Sequence, residues 1–448
     1  MPGQSNLPPG NTPHRVAVAA AARDGKVRRR AVEIYSYAAR DWGAAPGVIG
    51  RSLRGARELR SPERRFVGEA IYGMIRWRRR LDFAMSREGS EALPLYLAWL
   101  WSEFEGDPQV ETELRVVGVD PGRLADVEER LTSQIGNEVE RLAVAQSYPS
   151  WLVERFVAEH GLAEAAALLS AMNRRAPLSA RANRLKNTRE ELAAILDAEG
   201  IPTQPSPLAP DGLELLTHVN AYALEAFTDG RFELQDAGSQ IIAELTAPPP
   251  RGVVVDACAG AGGKTLALGA LLGNRGRLTA FDVSDRKLEE LRTRARRAGL
   301  TNVRALSVGE TAPADAEMEL AGRADRVLCD VPCSGLGTLR RNPEARWRLE
   351  PADLDELPQK QGAILDRYAR LVADGGRLVY ATCTVARAEN DAIIDAFLAT
   401  HPSFVEVPAK EILGKARAEQ IGDGQRLRLL PHIHDTDGFF AAVLRRTS

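Results

Sequence analysis

Residues 253–265 read VVVDACAGAGGKT, and no other stretch restricts the fold of this 448-residue chain so tightly. Three β-branched residues, Val253 to Val255, end in Asp256 and pass into a turn carrying Gly260, Gly262 and Gly263. The helix-like run LALGALLG follows. Strand, glycine turn and helix in that order place a small cofactor at the C-terminal edge of a parallel sheet.

Two familiar versions of such a loop fail on spacing. A phosphate-binding P-loop needs a glycine five residues before Gly263, where Cys258 stands; a dinucleotide fingerprint begun at Gly260 needs one at Thr265. What remains is a looser turn whose backbone N–H groups can meet a carboxylate or a ribose. The next strand, TAFDV, puts Asp282 roughly 20 residues beyond the loop, where an acid can accept from both ribose hydroxyls. S-adenosylmethionine fits: it has a ribose and no polyphosphate. Asp282 could instead serve as a cap for the helix begun at Ser284–Asp285–Arg286.

Two cysteines lie downstream at predicted strand ends. RVLCDVPCSG reads as a buried strand stopped by Pro332, which leaves Asp330 and Cys333 at its C-terminal end. GRLVYATCT reads as a second strand, launched by Gly375–Gly376 and ending at Cys383. In a doubly wound sheet both ends open on one crevice. A thiolate is the strongest side-chain nucleophile, and a second thiol beside it can act as acid or base. Cytosine carbon 5 needs such help, because it attacks a methyl sulfonium only after a thiolate has added at carbon 6. A carboxyl such as Asp330 can hydrogen-bond the ring. Cys258 and Cys329 read as small buried residues. Four cysteines without close pairs point away from a zinc site and from a disulfide scaffold.

With these pieces the chain resembles the bacterial Sun/Fmu (RsmB-like) family of 16S ribosomal RNA cytosine-C5 methyltransferases. The resemblance rests on DACAGAGGKT, FDVSDRKLEELRTRARRAGL, DVPCSGLGTLRRNPEARWR, LPQKQGAIL, GGRLVYATCT and the terminal DGFFAAVLRR, in order over roughly residues 230–448. It implies a Rossmann-like class I methyltransferase domain, α/β, with a seven-stranded sheet whose last strand, near Phe439–Leu444, is antiparallel. It also implies that Cys258, Ala259, Gly260, Ala261, Gly262, Gly263 and Lys264 surround the methionine part of S-adenosyl-L-methionine, and that Asp282 holds its ribose. Asp330 and Cys333 take the Pro-Cys motif, and Cys383 is the nucleophile. Three positions depart from the family pattern. Gly260–Ala261 stand where Ala-Pro is usual, Thr384 follows Cys383 where Ser is common, and SVGET offers Glu310 or Gly309 where the third cofactor contact is usually Asp.

The rest of the chain is read as a flexible tail (1–22), an all-α domain (23–145), a small α/β RNA-binding segment (146–232) and the methyltransferase domain (233–448). SPERRFVGEAIYGMIRWRRRLD resembles the NusB-like RNA-binding domain of the family's ribosomal branch. Within it Val67, Ala70, Ile71, Met74 and Ile75 fall on one helix face, Ser61–Pro62 reads as the helix start, and Arg76 to Arg80 as its end. The formal net charge is only −2, yet the distribution is uneven. Residues 51–80 carry ten Arg against three Glu, and residues 174–189 five Arg and one Lys with no acid. Such blocks suit phosphate, and ribosomal RNA is the expected partner. Trp347 with Arg340, Arg341, Arg346 and Arg348 is read as helping to hold the strand, with simple core packing an equal alternative for Trp347. The polar N-terminus and the lack of an apolar run long enough to cross a membrane lead to the expectation of a cytoplasmic, monomeric enzyme without a metal. The rival readings are the same chemistry on transfer RNA and a non-catalytic ribosome-assembly factor.

Overall fold

In the central strands of the C-terminal half, successive residues point into two different cores. Val254, Leu328, Val379 and Ala441 lie with Ile241, Leu268 and Leu288 of helices Ala237–Thr246, Gly263–Leu271 and Asp285–Ala298. Their neighbours Val255, Val327, Tyr380 and Phe440 lie with Leu365 and Ile394 of helices Pro351–Ala369 and Asp391–Thr400. Strands apolar on both faces require a sheet covered by helices on both sides.

The computed structural model describes residues 24–104, 107–217, 219–310 and 314–447. The expected tail, residues 1–22, lies outside them. In chain order the strands are β1 (Leu178–Ala182), β2 (Thr203–Pro205), β3 (Gly212–Leu215), β4 (Phe232–Leu234), β5 (Val253–Asp256), β6 (Arg277–Asp282), β7 (Val303–Ser307), β8 (Ala324–Asp330), β9 (Val372–Thr382), β10 (Phe404–Val407), β11 (Leu427–Leu429) and β12 (Phe439–Arg446). The main sheet runs β10-β12-β9-β8-β5-β6-β7, with short β11 added to β12. From β9 to β7 every pairing is parallel, whereas β12 is antiparallel to β9, β10 and β11. This is the class I methyltransferase sheet of seven strands with an antiparallel end. The order of connection reverses between β5 and β8, and in open α/β sheets ligands bind beyond the strand ends at that point.

Strands β1 to β4 form a separate antiparallel sheet, β2-β3-β1-β4. Ala180, Leu213 and Phe232 pack there on Leu192 and Leu196 of helix Arg189–Ala198. That helix starts at a capping box: Thr188 Oγ1 accepts from Glu191 N at 3.1 Å, and the Glu191 carboxylate accepts from Thr188 N at 2.8 Å.

The chain divides into two compact units. One holds both sheets, residues 176–337 and 352–448; the other is helical, residues up to 175 together with Thr338–Pro351. The helical unit is organised on Ser61–Met85, whose Val67, Ala70, Ile71, Met74 and Ile75 are fully buried. Gly73 lets Trp99 lie against the helix, since a Cβ there would sit 2.2 Å from its indole nitrogen. Among the described residues no helix is long and apolar enough to cross a membrane.

Three expectations for this unit are corrected. The helix does not end at Arg76–Arg80 but runs on to Met85. Arg76 is buried and donates to the Arg340 carbonyl at 2.8 Å, while Arg79 and Arg80 are paired with Glu140 and Glu128. The run from Arg340 to Arg348 is not a free basic strip. Arg346 is wholly buried, its guanidinium 3.8 Å above the Tyr148 ring and bonded to Asn173 Oδ1 at 2.9 Å. Trp347 donates to the Ile75 carbonyl at 2.8 Å and packs on the helical core. Apolar stems and a delocalised cation over a ring let arginine serve as packing.

Candidate active site

The end of β5 and the start of the next helix are joined by a turn that only small residues can make. Gly262, at φ 88°, caps helix Gly263–Leu271, and a Cβ there would lie 2.6 Å from Leu291 Cγ. Gly260, at φ 54°, is the opposite case: a Cβ there would meet nothing within 4 Å, so the space beside it is open. Cys258, Ala259 and Ala261 complete the turn, and Ala259 N is bonded to Phe281 O at 2.8 Å, which ties the turn to β6. Asp282 ends β6 with its carboxylate accepting from Gly260 N and from Ser284 N, each at 2.8 Å. It therefore braces the glycine turn as well as the helix start, where Ser284 is the N-cap. An open space beside Gly260, bordered by a fixed carboxylate, fits the ribose-bearing end of S-adenosylmethionine.

On the other side of the turn, Lys264 Nζ meets Asp330 Oδ2 at 2.6 Å. Burial acts to lower the Lys264 pKa, but Asp330 outweighs it and holds the ammonium above its ordinary range. Below them Asp256 is buried and accepts from Thr265 Oγ1 at 2.7 Å. Burial raises its carboxyl to about 7. The same desolvation, followed by the charges of Asp256, Asp330 and Asp282, pushes the Cys258 thiol up, and Cys329 is likewise raised inside β8. Both stay protonated. Glu310 lies beyond β7 with an exposed side chain; its carbonyl and that of Gly309 accept from Arg367.

The two remaining cysteines meet. Cys333 Sγ and Cys383 Sγ are 3.3 Å apart, Cys333 after the end of β8 and Cys383 after the end of β9. The contact with Cys383 is the largest cause, and burial the second, of a Cys333 pKa held well above the usual thiol range. Gly337 N donates to Cys383 O at 2.9 Å and Gly337 O accepts from Gly438 N at 2.8 Å. A Cβ on Gly337 would be 2.1 Å from Gly438 O, so three loops close on one another only through glycine.

Beneath the thiols lies a polar layer absent from the sequence-based expectations. Glu389, fully buried, accepts from Ser334 N at 2.9 Å, Ser334 Oγ at 2.5 Å, Gln361 Nε2 at 2.8 Å and Thr384 Oγ1 at 3.1 Å. Asn390 accepts from Thr382 Oγ1 at 2.6 Å and donates to Thr384 O at 3.1 Å. The VARAEND stretch that carries them has no periodicity or motif spacing, only a Glu-Asn pair a few residues after Cys383.

The basic blocks are less available than their composition implies. In the second, Arg181 is buried against Gln235, and Arg184 and Arg189 are paired with Asp211 and Glu190. In the first, Arg51, Arg54, Arg57, Arg60 and Arg65 are exposed.

A family described as 16S rRNA methyltransferase RsmB/F matches residues 243–445, and an RsmF/B-like ferredoxin-like domain matches residues 148–222. A probable ribosomal RNA small subunit methyltransferase B of Synechocystis is 34% identical over 426 residues, 89% of this chain and 94% of the relative. The Bacillus subtilis protein of the same description is 36% identical over 70% of this chain and 69% of its own. Among solved structures, that of PH0851 superposes with a TM-score of 0.73 at 26% identity, covering 94% of this chain and 98% of the other.

Proposed function

This chain belongs to the 16S rRNA methyltransferase RsmB/F family, and from that premise we propose that it methylates carbon 5 of a cytosine in 16S ribosomal RNA through a covalent cysteine adduct. It is a methyltransferase, dependent on S-adenosylmethionine by family. The observation that carries the finer reading is the 3.3 Å contact of Cys333 and Cys383, beside a carboxylate paired to the cofactor loop.

Gly260 to Lys264, Cys258, Ala259 and Asp282 would hold the cofactor, whose contribution is an electrophilic methyl group. Asp330 belongs to both halves of the site. Its bond to Lys264 fixes it at the loop, and its carboxyl would hydrogen-bond the ring of the target base. The third cofactor contact would fall to Glu310 or Gly309, which stand where the family usually has Asp. The base must leave its stack to reach these groups.

Cys383 as thiolate adds to carbon 6, forming the S–C6 bond and moving the electron pair of the 5,6 double bond towards carbon 5. Carbon 5 is thereby made nucleophilic enough to accept the methyl group. The carbon 5 proton then leaves, the double bond re-forms and the S–C6 bond breaks, returning the thiolate. Cys333 is the side chain in place for that second half. Its Sγ lies 3.3 Å from Cys383 Sγ. Cys333 as thiolate, its own proton having passed to solvent, would accept the proton from carbon 5. Thiols that must stay reduced suit the cytoplasm.

Bisulfite sequencing of 16S rRNA from a deletion strain tests this directly. One cytosine should lose protection and regain it with the wild-type gene but not with Cys383→Ala. Unchanged protection throughout would overturn the reading, and loss in transfer RNA instead would move the substrate.

A further inference from the structure

Glu389 and Asn390 are consecutive residues: Asn390 braces the chain around Cys383, and Glu389 chiefly that around Cys333, with one further bond, from Thr384 Oγ1 at 3.1 Å, reaching the residue after Cys383. Glu389 accepts from the amide and hydroxyl of Ser334, the residue after Cys333. Gln361 completes that brace, for its Nε2 donates both to Glu389 and, at 3.1 Å, to the carbonyl of Pro332, the residue before Cys333. Asn390 spans the other cysteine: its Oδ1 accepts from Thr382 and its Nδ2 donates to the Thr384 carbonyl. Tyr380 pins the centre by donating to the Glu389 carbonyl at 2.6 Å. Glu389, Asn390, Ser334, Thr384, Thr382 and Gln361 are each 0 or 1% exposed, so water cannot substitute for a missing partner.

We propose that Glu389 and Asn390 are the positioning residues of the two-cysteine reaction, Glu389 setting the place of Cys333 and Asn390 that of Cys383, so that one peptide unit fixes the distance between attack and release. The proposal rests on the covalent reading above. Neither residue touches a reacting atom; each acts through the peptide neighbours of a thiol. Glu389 suits its place because a carboxylate is acceptor-only and here meets only donors. Asn390 suits its place because it must accept on one side of Cys383 and donate on the other.

The two braces are separable because the Thr384 hydroxyl, the one bond from Glu389 towards Cys383, also has Ser334 Oγ as a partner at 2.8 Å. Glu389→Gln turns an NH2 towards donors and leaves the Ser334 or Gln361 N–H without an acceptor. It should slow release and spare attack. Asn390→Asp sets an oxygen against the Thr384 carbonyl and should slow attack. The experiment uses the full-length protein with S-adenosylmethionine and two small-subunit RNA transcripts, one ordinary and one carrying 5-fluorocytidine. Fluorine at carbon 5 blocks elimination, so the adduct formed on that transcript reads attack alone.

On 5-fluorocytidine RNA, Glu389→Gln should form adduct within about threefold of the wild-type rate, and on ordinary RNA it should turn over tenfold or more slowly with adduct visible on a denaturing gel. Asn390→Asp should lose tenfold or more in adduct formation on the fluorinated RNA and show none on the ordinary one. Losses of this size match one unmet buried hydrogen bond, roughly 5- to 100-fold. Equal slowing of both steps in both variants, or exchanged patterns, overturns the proposal. Ser334→Ala removes one donor from Glu389 with little volume change, and should repeat the Glu389→Gln pattern more weakly if that variant folds poorly. Binding of S-adenosylhomocysteine, measured by calorimetry, should stay within about threefold in all three. Wild-type protein that forms no adduct with the fluorinated RNA would instead refute the covalent reading itself.

Discussion

Lys264 and Asp330 join the glycine turn after β5 to the end of β8 across the reversal point of the sheet, with 2.6 Å between Nζ and Oδ2. Their side chains are 10% and 28% exposed, so the pair lies between a surface bridge and a buried one. Removing one partner leaves a poorly solvated charge behind.

Lys264→Met should therefore lower stability by about 1–3 kcal/mol. Asp330→Asn in the same chain should recover part of that loss without recovering methyl transfer, because the proposed reaction also needs the Asp330 carboxyl at the base. Urea midpoints for the two single variants and the double variant give the coupling. A double variant as unstable as the sum of its parts would mean the pair contributes nothing.

Asp256 gives a pH dependence with a definite sign. Its folded carboxyl is raised to about 7, against about 3.9 for an unfolded aspartate. Between those values the folded state binds more protons, so the contribution to stability is whole below about pH 4 and falls as pH rises through about 7. The full loss is on the order of 4 kcal/mol. Asp256→Asn, which resembles the protonated form, should flatten this part of the stability curve. Parallel wild-type and variant curves from pH 4 to 8 would show that Asp256 titrates normally.

The legible parts of this molecule are those where a local pattern and a tertiary role coincide. VVVDACAGAGG announces a strand and a turn because Val255 must face a core and Gly262 must admit Leu291, and both demands appear as residue types. Pro332 marks the end of β8 because its ring ends a ladder. The misread residues are those whose type is ambiguous until a partner is known. Arg76 and Arg346 have the composition of an RNA contact, yet Tyr148 and Asn173 take Arg346 into the helical core from more than 170 positions away. Glu389 and Asn390 carry no pattern in VARAEND that would single them out. Only the convergence of Ser334, Gln361 and Thr384 shows them to be buried.

The two cysteines predict opposite behaviour on a denaturing gel. Cys333→Ala keeps the attacking thiol and should trap RNA as a covalent complex that depends on Cys383. Cys383→Ala should abolish methyl transfer, retain cofactor binding, and trap nothing. The double variant should show no adduct. A trapped complex with Cys383→Ala instead would assign attack to the Pro-Cys motif.

RNA affinity should depend on the exposed arginines of the helical unit and not on the buried ones. Deleting residues 1–145 is a poor test, since it would take Arg76 from the Arg340 carbonyl and Ile75 from Trp347, in the segment that the chain returns to that unit. Replacing Arg51, Arg54, Arg57 and Arg65 by alanine leaves those interactions in place. For every phosphate that is no longer neutralised, the slope of log affinity against log salt should fall by about 0.7–0.9. Filter binding of a small-subunit RNA transcript between low and moderate salt measures it. By contrast, Arg346→Ala should cost roughly 2–4 kcal/mol of stability, through a cavity over Tyr148 and an unmet acceptor on Asn173. Its salt slope should not change. If the fourfold variant binds with wild-type affinity and slope, the helical unit does not hold phosphate through this face. The first basic block would then be a solvated surface, as most of the second is already occupied by its own carboxylates and carbonyls.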